Sequence, residues 1–202
     1  GINITDSYNG IVVQNANNSY ITLNYINNSG NTSIYVHSSN GSTVFQNWID
    51  YPNWIGIYID GVSNSIVRQN FVIGREVFGG TTFGGIGLSN SLSNTITENY
   101  VSRTLISFGA YWSNSNAFVS NWAERPSGNG FLVWYSLGGR NVVMNSRVTN
   151  AQNNALSINN ATDLLLQNLT ITNTSSSFVD LDTSLAESSL ELVDTRLGRY
   201  AL

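Results

Sequence analysis

Arginines and carboxylates recur through the middle of the chain in a pattern that could support sugar chemistry. Arg75, Arg103 and Arg125 each follow a repeated asparagine by four or five residues, and Glu76 and Glu124 adjoin two of them. Guanidinium groups bind acidic sugars through paired hydrogen bonds, and two carboxyl groups act as acid and base in glycoside hydrolysis. Exposed ion pairs around loops are the alternative, and the favoured, interpretation. The candidate catalytic residues of a polysaccharide lyase or hydrolase are Asp60, Glu76, Glu98, Arg75 and Arg103.

A histidine and a carboxylate end two neighbouring repeats and could exchange a proton. His37 and Asp60 occupy equivalent strand positions, and imidazole titrates near neutral pH. No serine or cysteine nucleophile motif accompanies them, so a surface contact without catalysis is the favoured interpretation. Asp180 and Asp182 share a strand face, and calcium is the one cofactor that they suggest. No metal site is predicted beyond that suggestion.

Aromatic residues supply a different chemistry, the stacking of rings on sugars. In five successive repeats an asparagine is followed at once by an aromatic residue, and the alternation of a strand turns these rings outward. At the spacing of neighbouring strands they span roughly 19 Å, enough to bind a sugar chain or a partner protein. Alternatively, the rings only stack on one another beneath residues 51–54 and 74–84. The predicted binding residues are Tyr25, Trp48, Phe71, Tyr100 and Trp122, with Tyr35, Tyr58 and Tyr111 on outward strand positions.

A repeat of 22 to 29 residues must position these side chains. Each unit has a short apolar strand, which usually opens on glycine as in Gly56 to Ile59, and then an asparagine with an apolar residue two positions later. A unit of this size cannot bury its own apolar face and must stack on the next. We expect the asparagines to form a ladder of amides at a turn between parallel strands. The predicted ladder comprises Asn24, Asn47, Asn70, Asn99, Asn121, Asn145 and Asn168.

Composition excludes several classes of protein. The chain has 202 residues, no cysteine, no lysine, thirty asparagines and a net charge of −4. These values argue against a disulfide framework and against a nucleic-acid partner, which needs a basic surface. No apolar run approaches the ~20 residues of a membrane span. Asn-X-Ser/Thr sequons point to an extracellular, glycosylated surface, with candidates at Asn3, Asn17, Asn27, Asn31, Asn40, Asn160, Asn168 and Asn173.

Two local patterns recur in the chain: the strand Gly-Ile-X-Ile, and the turn Ser63-Asn64-Ser65-Ile66 with its copy at 93–96. Both resemble the parallel β-helix repeats of the pectate-lyase-like superfamily, particularly its NosD-like group. The resemblance spans about residues 10–174 and implies the fold, whereas it leaves the activity open, since related β-helices include lyases, hydrolases, phage tailspikes and surface proteins. The polygalacturonase signatures Asn-Thr-Asp, Asp-Asp, Gly-His-Gly and Arg-Ile-Lys are absent from the sequence. The lysine and the dense acidic cluster of pectate lyases are absent as well.

These observations predict an all-β protein, a single-stranded right-handed parallel β-helix of about seven to eight coils. One domain covers residues 1–202, with a lead-in at 1–9, seven coils at 10–177 and a terminal coil or cap at 178–202, where 184–193 is interpreted as a strand rather than an amphipathic helix. The predicted role is non-catalytic: a secreted or cell-surface domain that binds carbohydrate or polysaccharide, or self-associates into an oligomer or filament. A lyase or hydrolase and a trimeric tailspike-like adhesion module are the alternatives.

Overall fold

A computed structural model describes residues 1–75, 84–182, 190–193 and 196–197. In this part of the chain every regular element is a β-strand, and the strands form three parallel sheets. The chain contributes one strand to each of the three sheets in turn, and each strand pairs with its equivalent in the next coil. The prediction of a right-handed parallel β-helix is therefore confirmed, with about seven turns.

The strands are short, and those of each sheet follow one another along the stack. Sheet A consists of Asn3–Thr5, Tyr25–Asn27, Trp48–Asp50, Phe71–Ile73, Tyr100–Ser102, Trp122–Glu124, Arg147–Thr149, Thr170–Thr172 and Arg196–Leu197. Sheet B consists of Ile11–Gln14, Thr32–His37, Ile55–Asp60, Gly84–Ser89, Ile106–Tyr111, Asn129–Trp134, Leu156–Asn159 and Val179–Asp182. Sheet C consists of Tyr20–Thr22, Thr43–Phe45, Ile66–Arg68, Thr95–Thr97, Ala117–Val119, Asn141–Met144, Leu164–Gln167 and Leu190–Val193.

Both predicted end segments contribute strands to these sheets. The lead-in holds Asn3–Thr5, which pairs with Tyr25–Asn27 in sheet A. At the other end, Leu190–Val193 extends sheet C, so the last part of segment 184–193 is a strand, while residues 184–189 lie outside the described part of the chain. The described parts of both end segments therefore continue the β-helix.

The core fills the inside of the tube with rows of inward side chains. Each coil contributes one side chain to each row, at the equivalent strand position. In sheet B one such row contains Ile34, Ile57, Ile86, Phe108 and Phe131, which are in register and almost completely buried. Burial of each such side chain contributes about 1.5–3 kcal/mol to stability. Because every coil buries its apolar face against the next, the stack forms one continuous core.

The glycines that open several sheet B strands are required by close packing inside the tube. A Cβ atom at Gly85 would lie 2.2 Å from Val101 Cγ1 and 2.6 Å from the carbonyl oxygen of Ser107. At Gly56 the corresponding atom would lie 2.6 Å from Val72 Cγ1. Sheet A therefore approaches the start of each of these two strands too closely for any side chain.

Buried asparagines join the first five coils at the turn that leads into sheet A. In each pair, the Oδ1 atom of the later asparagine accepts hydrogen bonds from the backbone N–H and the Nδ2 atom of the earlier one, at 2.8–3.1 Å. From the second coil onward, Nδ2 also donates to a carbonyl oxygen of the preceding coil, as Asn70 does to Val44 at 2.9 Å. The asparagines joined in this way are Asn24, Asn47, Asn70, Asn99 and Asn121.

The prediction was wrong for Asn145 and Asn168, which are exposed and lie one residue before the ladder position. Ser146 takes that position, and its hydroxyl oxygen accepts the backbone N–H of Asn121 at 3.1 Å, while the buried Leu169 ends the series. Asn145 and Asn168 adopt left-handed backbone with φ of 50° and 49°, as Glu98 does with 56° before Asn99. Asparagine tolerates that conformation well, which explains its presence one step early.

A second polar ladder, not predicted from the sequence, lies at the turn between sheets B and C. The Oδ1 atoms of Asn94, Asn116 and Asn141 each accept a backbone N–H from the preceding coil at 2.9 Å. In the earlier coils, the hydroxyl of Ser65 does the same for the N–H of Ser42 at 2.8 Å. Buried amides and hydroxyls therefore satisfy the backbone at two of the three corners of the coil.

Candidate functional site

The predicted aromatic residues form one row on the outer face of sheet A. Tyr25, Trp48, Phe71, Tyr100 and Trp122 each begin a strand and are in register from coil to coil, and we call this row the aromatic strip. The strip exists because each residue follows a turn residue whose side chain is directed inward, so the next one points out. The exposed fractions of Tyr25, Trp48 and Trp122 are 39%, 45% and 38%.

The rings of the strip also contact one another. Ring centroids are 4.3 Å apart for Trp48 and Phe71 and 4.4 Å apart for Phe71 and Tyr100, and Trp122 meets Tyr100 edge-on at 5.0 Å. Trp54 does not cover the strip, because it packs edge-on against Tyr58 on sheet B at 5.4 Å. Neighbouring rings therefore cover parts of each other's faces while the row as a whole stays partly open to solvent.

Polar groups beside the strip bind the polar atoms of its rings. Asp50 accepts hydrogen bonds from the Tyr25 hydroxyl at 3.1 Å and from Trp48 Nε1 at 2.9 Å. Glu124 accepts one from the Tyr100 hydroxyl. The hydrogen bond to Asp50 raises the pKa of Tyr25, and burial followed by the hydrogen bond to Glu124 raises that of Tyr100. Both phenols therefore remain neutral donors that hold the carboxylates in place.

The far end of the strip carries a different set of contacts. Trp122 Nε1 donates a hydrogen bond to Thr149 Oγ1 at 3.1 Å, and the Arg147 guanidinium carbon lies 5.2 Å from the centroid of the same indole. On the turn before the strip, Gln46 donates to Gln69 at 3.3 Å and Gln69 donates to Glu98 at 2.6 Å. Amide, hydroxyl and carboxylate groups thus border the rings on both sides.

The second group of predicted residues lies on the outer face of sheet B. His37 Nδ1 lies 3.1 Å from Asp60 Oδ2, and the Tyr35 hydroxyl donates to the same oxygen at 3.3 Å. The Tyr35 ring stacks on Tyr58 at 5.5 Å and on His37 at 5.7 Å. Burial, and then the charge of Asp60, raises the pKa of Tyr35. We call Tyr35, His37, Tyr58 and Asp60 the His37 cluster.

Two tyrosines of sheet B lie against glycines rather than pointing into solvent. The Tyr58 ring covers Gly87, where a Cβ atom would lie 3.5 Å from Tyr58 Cδ2. Tyr111 lies across Gly109, where a Cβ atom would meet its ring at 2.7 Å. Burial raises the pKa of both tyrosines, most strongly for Tyr111. The Tyr111 ring is therefore partly buried against the sheet, although Tyr111 is a predicted binding residue.

The candidate catalytic residues occupy different phases of the coil. Asp60 ends a strand of sheet B, Glu98 is exposed on the turn before sheet A, and Arg103 lies on the turn after sheet A. Arg75 follows sheet A one coil earlier, where its guanidinium contacts Asn28 and lies 6.0 Å from the Tyr51 ring centroid. Glu76 lies outside the described residues. Asp60, Glu98 and Arg103 therefore lie at three different corners of the coil.

Most sequon asparagines are at the surface, where several link neighbouring coils. Asn17 Oδ1 accepts the backbone N–H of Asn40 at 2.8 Å, and Asn173 donates to Asn150 at 3.1 Å. Asn160 is only 3% exposed and its Nδ2 donates to Asn159 at 2.7 Å, so the prediction of a glycan there is wrong. Asn3, Asn27, Asn31, Asn40 and Asn168 are exposed or half-buried and remain candidates.

An aromatic group lies at the turn from sheet B to sheet C, and the sequence prediction included only Tyr111 of its four residues. Trp112 is 51% exposed, and its ring centroid lies 5.3 Å from that of Trp134, which in turn lies 5.3 Å from Tyr135. Tyr111 meets Trp134 edge-on at 6.1 Å. We call these four residues the corner cluster. Its signal in the sequence is a pair of adjacent aromatics at the end of two successive sheet B strands.

No metal-binding arrangement is found in the part of the chain that the structure describes, where no three His, Cys, Asp or Glu side chains come together. Asp180 accepts a hydrogen bond from Asn154 at 3.1 Å. Among the described residues no helix has the length and apolarity needed to cross a bilayer.

Fold and surface together define a right-handed β-helix with polar and aromatic rows on its outer faces. The family model described as "Right handed beta helix region" matches residues 1–138, and the chain belongs to that family. No curated protein matches the sequence.

Solved structures show the same fold at low sequence identity. The periplasmic alginate epimerase AlgG superposes with a TM-score of 0.73 and 16% identity, over 99% of this chain and 49% of that one. The catalytic domain of a GH87 alpha-1,3-glucanase in complex with nigerose gives 0.59 and 12%, over 99% and 53%. The GH136 lacto-N-biosidase from Eubacterium ramulus gives 0.58 and 10%, over 94% and 45%. The chain thus spans about half the length of each of these structures.

Proposed function

We propose that the chain is a non-catalytic β-helical domain, secreted or displayed at the cell surface, that binds polysaccharide along the aromatic strip. The observation that carries this proposal is the register of five aromatic residues in five successive coils, bordered on both sides by hydrogen-bonding groups. Sugars present apolar ring faces and a rim of hydroxyls, so a binding site needs both aromatic surface and polar partners.

The carboxylates beside the strip suit sugar hydroxyls. Asp50 is held by two ring donors, Tyr25 and Trp48, and its oxygens retain lone pairs that can accept further hydrogen bonds. Because the phenol and the indole fix the carboxylate, a sugar would meet a preorganised acceptor, which lowers the entropy cost of binding. The strongest sugar contacts are expected at Trp48, which is the most exposed ring of the strip.

The comparisons support a carbohydrate ligand and a location outside the cytoplasm. The matched structures bear names that refer to alginate, to alpha-1,3-glucan and to lacto-N-biose, and one is called periplasmic. A surface protein and adhesin of Streptococcus pneumoniae, PfbA, shares the fold with a TM-score of 0.51 and 8% identity. These proteins share a fold and carry diverse activities, so the ligand of this chain has to be found by experiment.

The experiment is a glycan array followed by calorimetry on Trp48→Ala. We expect the variant to bind the selected glycan at least about tenfold more weakly, because a sugar–indole contact of about 1.4 kcal/mol is lost. Tyr20→Ala is the control, since this ring is 78% exposed on sheet C, away from the strip. Equal binding by wild type and Trp48→Ala would exclude the strip as the site.

A second candidate function, a polysaccharide lyase or hydrolase, is favoured by one observation. The contacts of Asp60 with His37 and Tyr35 place an imidazole, a carboxylate and a phenol within hydrogen-bonding distance on an outer face. A reducing-sugar assay on the bound glycan separates the two functions. Turnover that disappears in Asp60→Asn would establish catalysis at the His37 cluster, whereas binding without turnover supports the first proposal.

A further inference from the structure

We propose that the corner cluster is a second glycan-binding site, separate from the aromatic strip, which takes a neutral sugar. The cluster lies where the strands Ile106–Tyr111 and Asn129–Trp134 turn from sheet B towards sheet C, whereas the strip faces outward from sheet A. The rings of Trp112 and Tyr135 are nearly parallel, at 19° with centroids 6.3 Å apart. The plane of Trp134 is inclined to both of them, at 41° to Trp112 and 60° to Tyr135. Rings inclined in this way leave parts of several faces uncovered.

The backbone of the cluster is a first sign of function. Trp112 and Tyr135 follow directly after their strands with φ of 47° and 52°, in the left-handed region. The equivalent turn positions of other coils hold Asn15, Ser38, Gly61, Asn90 and Asn160, which are small residues suited to that conformation. A bulky ring is a conformational outlier there, and such strain tends to persist where a side chain serves a binding role.

The polar atoms of the cluster are a second, independent sign. Within the part of the chain that the structure describes, the indole nitrogens of Trp112 and Trp134 and the hydroxyl of Tyr135 have no hydrogen-bond partner. The polar atoms of Trp134 and Tyr135 are not buried, and the Trp112 side chain is 51% exposed. In the strip, by contrast, Tyr25, Trp48, Tyr100 and Trp122 all donate to neighbouring side chains. The corner therefore offers donors beside exposed aromatic surface, which is the combination that sugar hydroxyls and sugar faces require.

The surroundings indicate a ligand without charge. The strand and turn residues of the flanking coils are Ser89 and Asn90 on one side and Asn159 and Asn160 on the other. The charged pair that follows the cluster, Arg140 and Asp163, is joined at 3.2 Å and carries no net charge. A carboxylated or phosphorylated sugar would therefore find no net positive charge there, whereas a neutral sugar would find amides and hydroxyls.

The test is calorimetry of the full chain with cellohexaose, mannohexaose and xylohexaose as neutral probes and an alginate hexasaccharide as the acidic comparison. Trp112→Gly is the informative variant, because glycine accepts a φ of 47° without strain. We expect it to lose one of two sites for a neutral hexasaccharide, with affinity there at least tenfold weaker, while the melting temperature stays equal or rises. Tyr20→Ala is the exposed-ring control and should retain both sites.

The strip and the corner are separated by comparing Trp48→Ala, Trp112→Gly and the double variant. Loss of one site in each single variant and of both in the double variant supports two sites. If Trp112→Gly loses a site and Trp48→Ala loses none, the corner cluster is a binding site and the aromatic strip is not. A Trp112→Gly isotherm identical to that of wild type overturns the corner proposal, as does binding of the alginate probe alone. Sedimentation that shows wild type to be a dimer and Trp112→Gly a monomer would also overturn it, because the rings would then form a protein interface.

Discussion

Asn70 and Asn99 are joined through a single oxygen: Oδ1 of Asn99 accepts the backbone N–H of Asn70 at 2.9 Å and its Nδ2 at 3.0 Å. These two asparagines are 29 residues apart, against 23 for Asn47 and Asn70, yet the hydrogen bonds have the same geometry. The extra residues of the third coil are therefore absorbed elsewhere in the coil and leave this turn unchanged.

Asn70→Leu is expected to lower the free energy of unfolding by about 3 kcal/mol, because the buried groups that Asn70 contacts in both neighbouring coils lose their partners. The measurement is urea unfolding. Asn153→Leu makes the same chemical change at an exposed site and should shift the value by less than about 0.5 kcal/mol. Equal stability of the two variants would contradict a structural role for the ladder.

The one-residue offset of Asn145 from the ladder gives a second prediction. Asn145→Gly should change stability by less than about 0.5 kcal/mol, since the residue is exposed and glycine favours its φ of 50°. Asn121→Gly should cost about 3 kcal/mol, because a buried side-chain amide that makes three hydrogen bonds at its turn is removed. Thermal unfolding compares the two variants. A larger loss of stability in Asn145→Gly than in Asn121→Gly would show that Asn145 belongs to the ladder after all.

Two glycines of one strand provide a third, internally controlled prediction. Gly85→Ala places a Cβ atom 2.2 Å from Val101 and should cost about 3 kcal/mol or prevent folding. Gly87→Ala meets only ordinary contacts, the nearest at 3.5 Å from Tyr58, and should be tolerated within about 1 kcal/mol. Soluble yield and melting temperature are the measurements. If both variants melt at the same temperature, the tube is wider at Gly85 than described.

Alkaline pH provides a fourth prediction. Burial raises the pKa of Tyr111 above the ordinary value of 10.0, so the folded state holds this proton more tightly than the unfolded state. Stability is therefore retained below about pH 10 and falls above it, by up to about 1.4 kcal/mol per pH unit for this group. The chain has neither lysine nor cysteine, so tyrosines dominate titration in this range.

Tyr111→Phe should reduce that slope, measured by urea unfolding between about pH 9 and 12. Tyr8→Phe alters a ring that is 74% exposed and serves as the matched control. An identical slope in wild type and Tyr111→Phe would show that this phenol is as accessible in the folded chain as in the unfolded one.

The repeat was predictable because its signals are local and redundant. Strand alternation, glycine at the start of several strands and an apolar residue two positions after each asparagine all have the same period. The last of these signals also locates the error at the sixth coil. Counting back two residues from the buried Val148 and Ile171 leads to Ser146 and Leu169, not to Asn145 and Asn168.

The candidate site was less predictable, because the side chains that meet on the surface depend on where each residue lies around the coil. Glu98 and Arg103 are only five residues apart in the sequence, yet they lie on the turns before and after the same strand of sheet A. Trp112 and Tyr135 are 23 residues apart and become neighbours only because equivalent turns stack. Whether their donors are used by other side chains depends on three-dimensional contacts that no spacing in the sequence records.

The constant cross-section of the tube has a consequence for how such a chain can evolve. Asn24, Asn47 and Asn70 follow one another at the same interval, and equivalent positions of successive coils hold side chains of the same chemical type. Duplication or loss of a gene segment that encodes one whole turn would lengthen or shorten the protein without creating a new junction, whereas insertion or deletion of a single codon within a strand would reverse the inward and outward alternation of its later side chains.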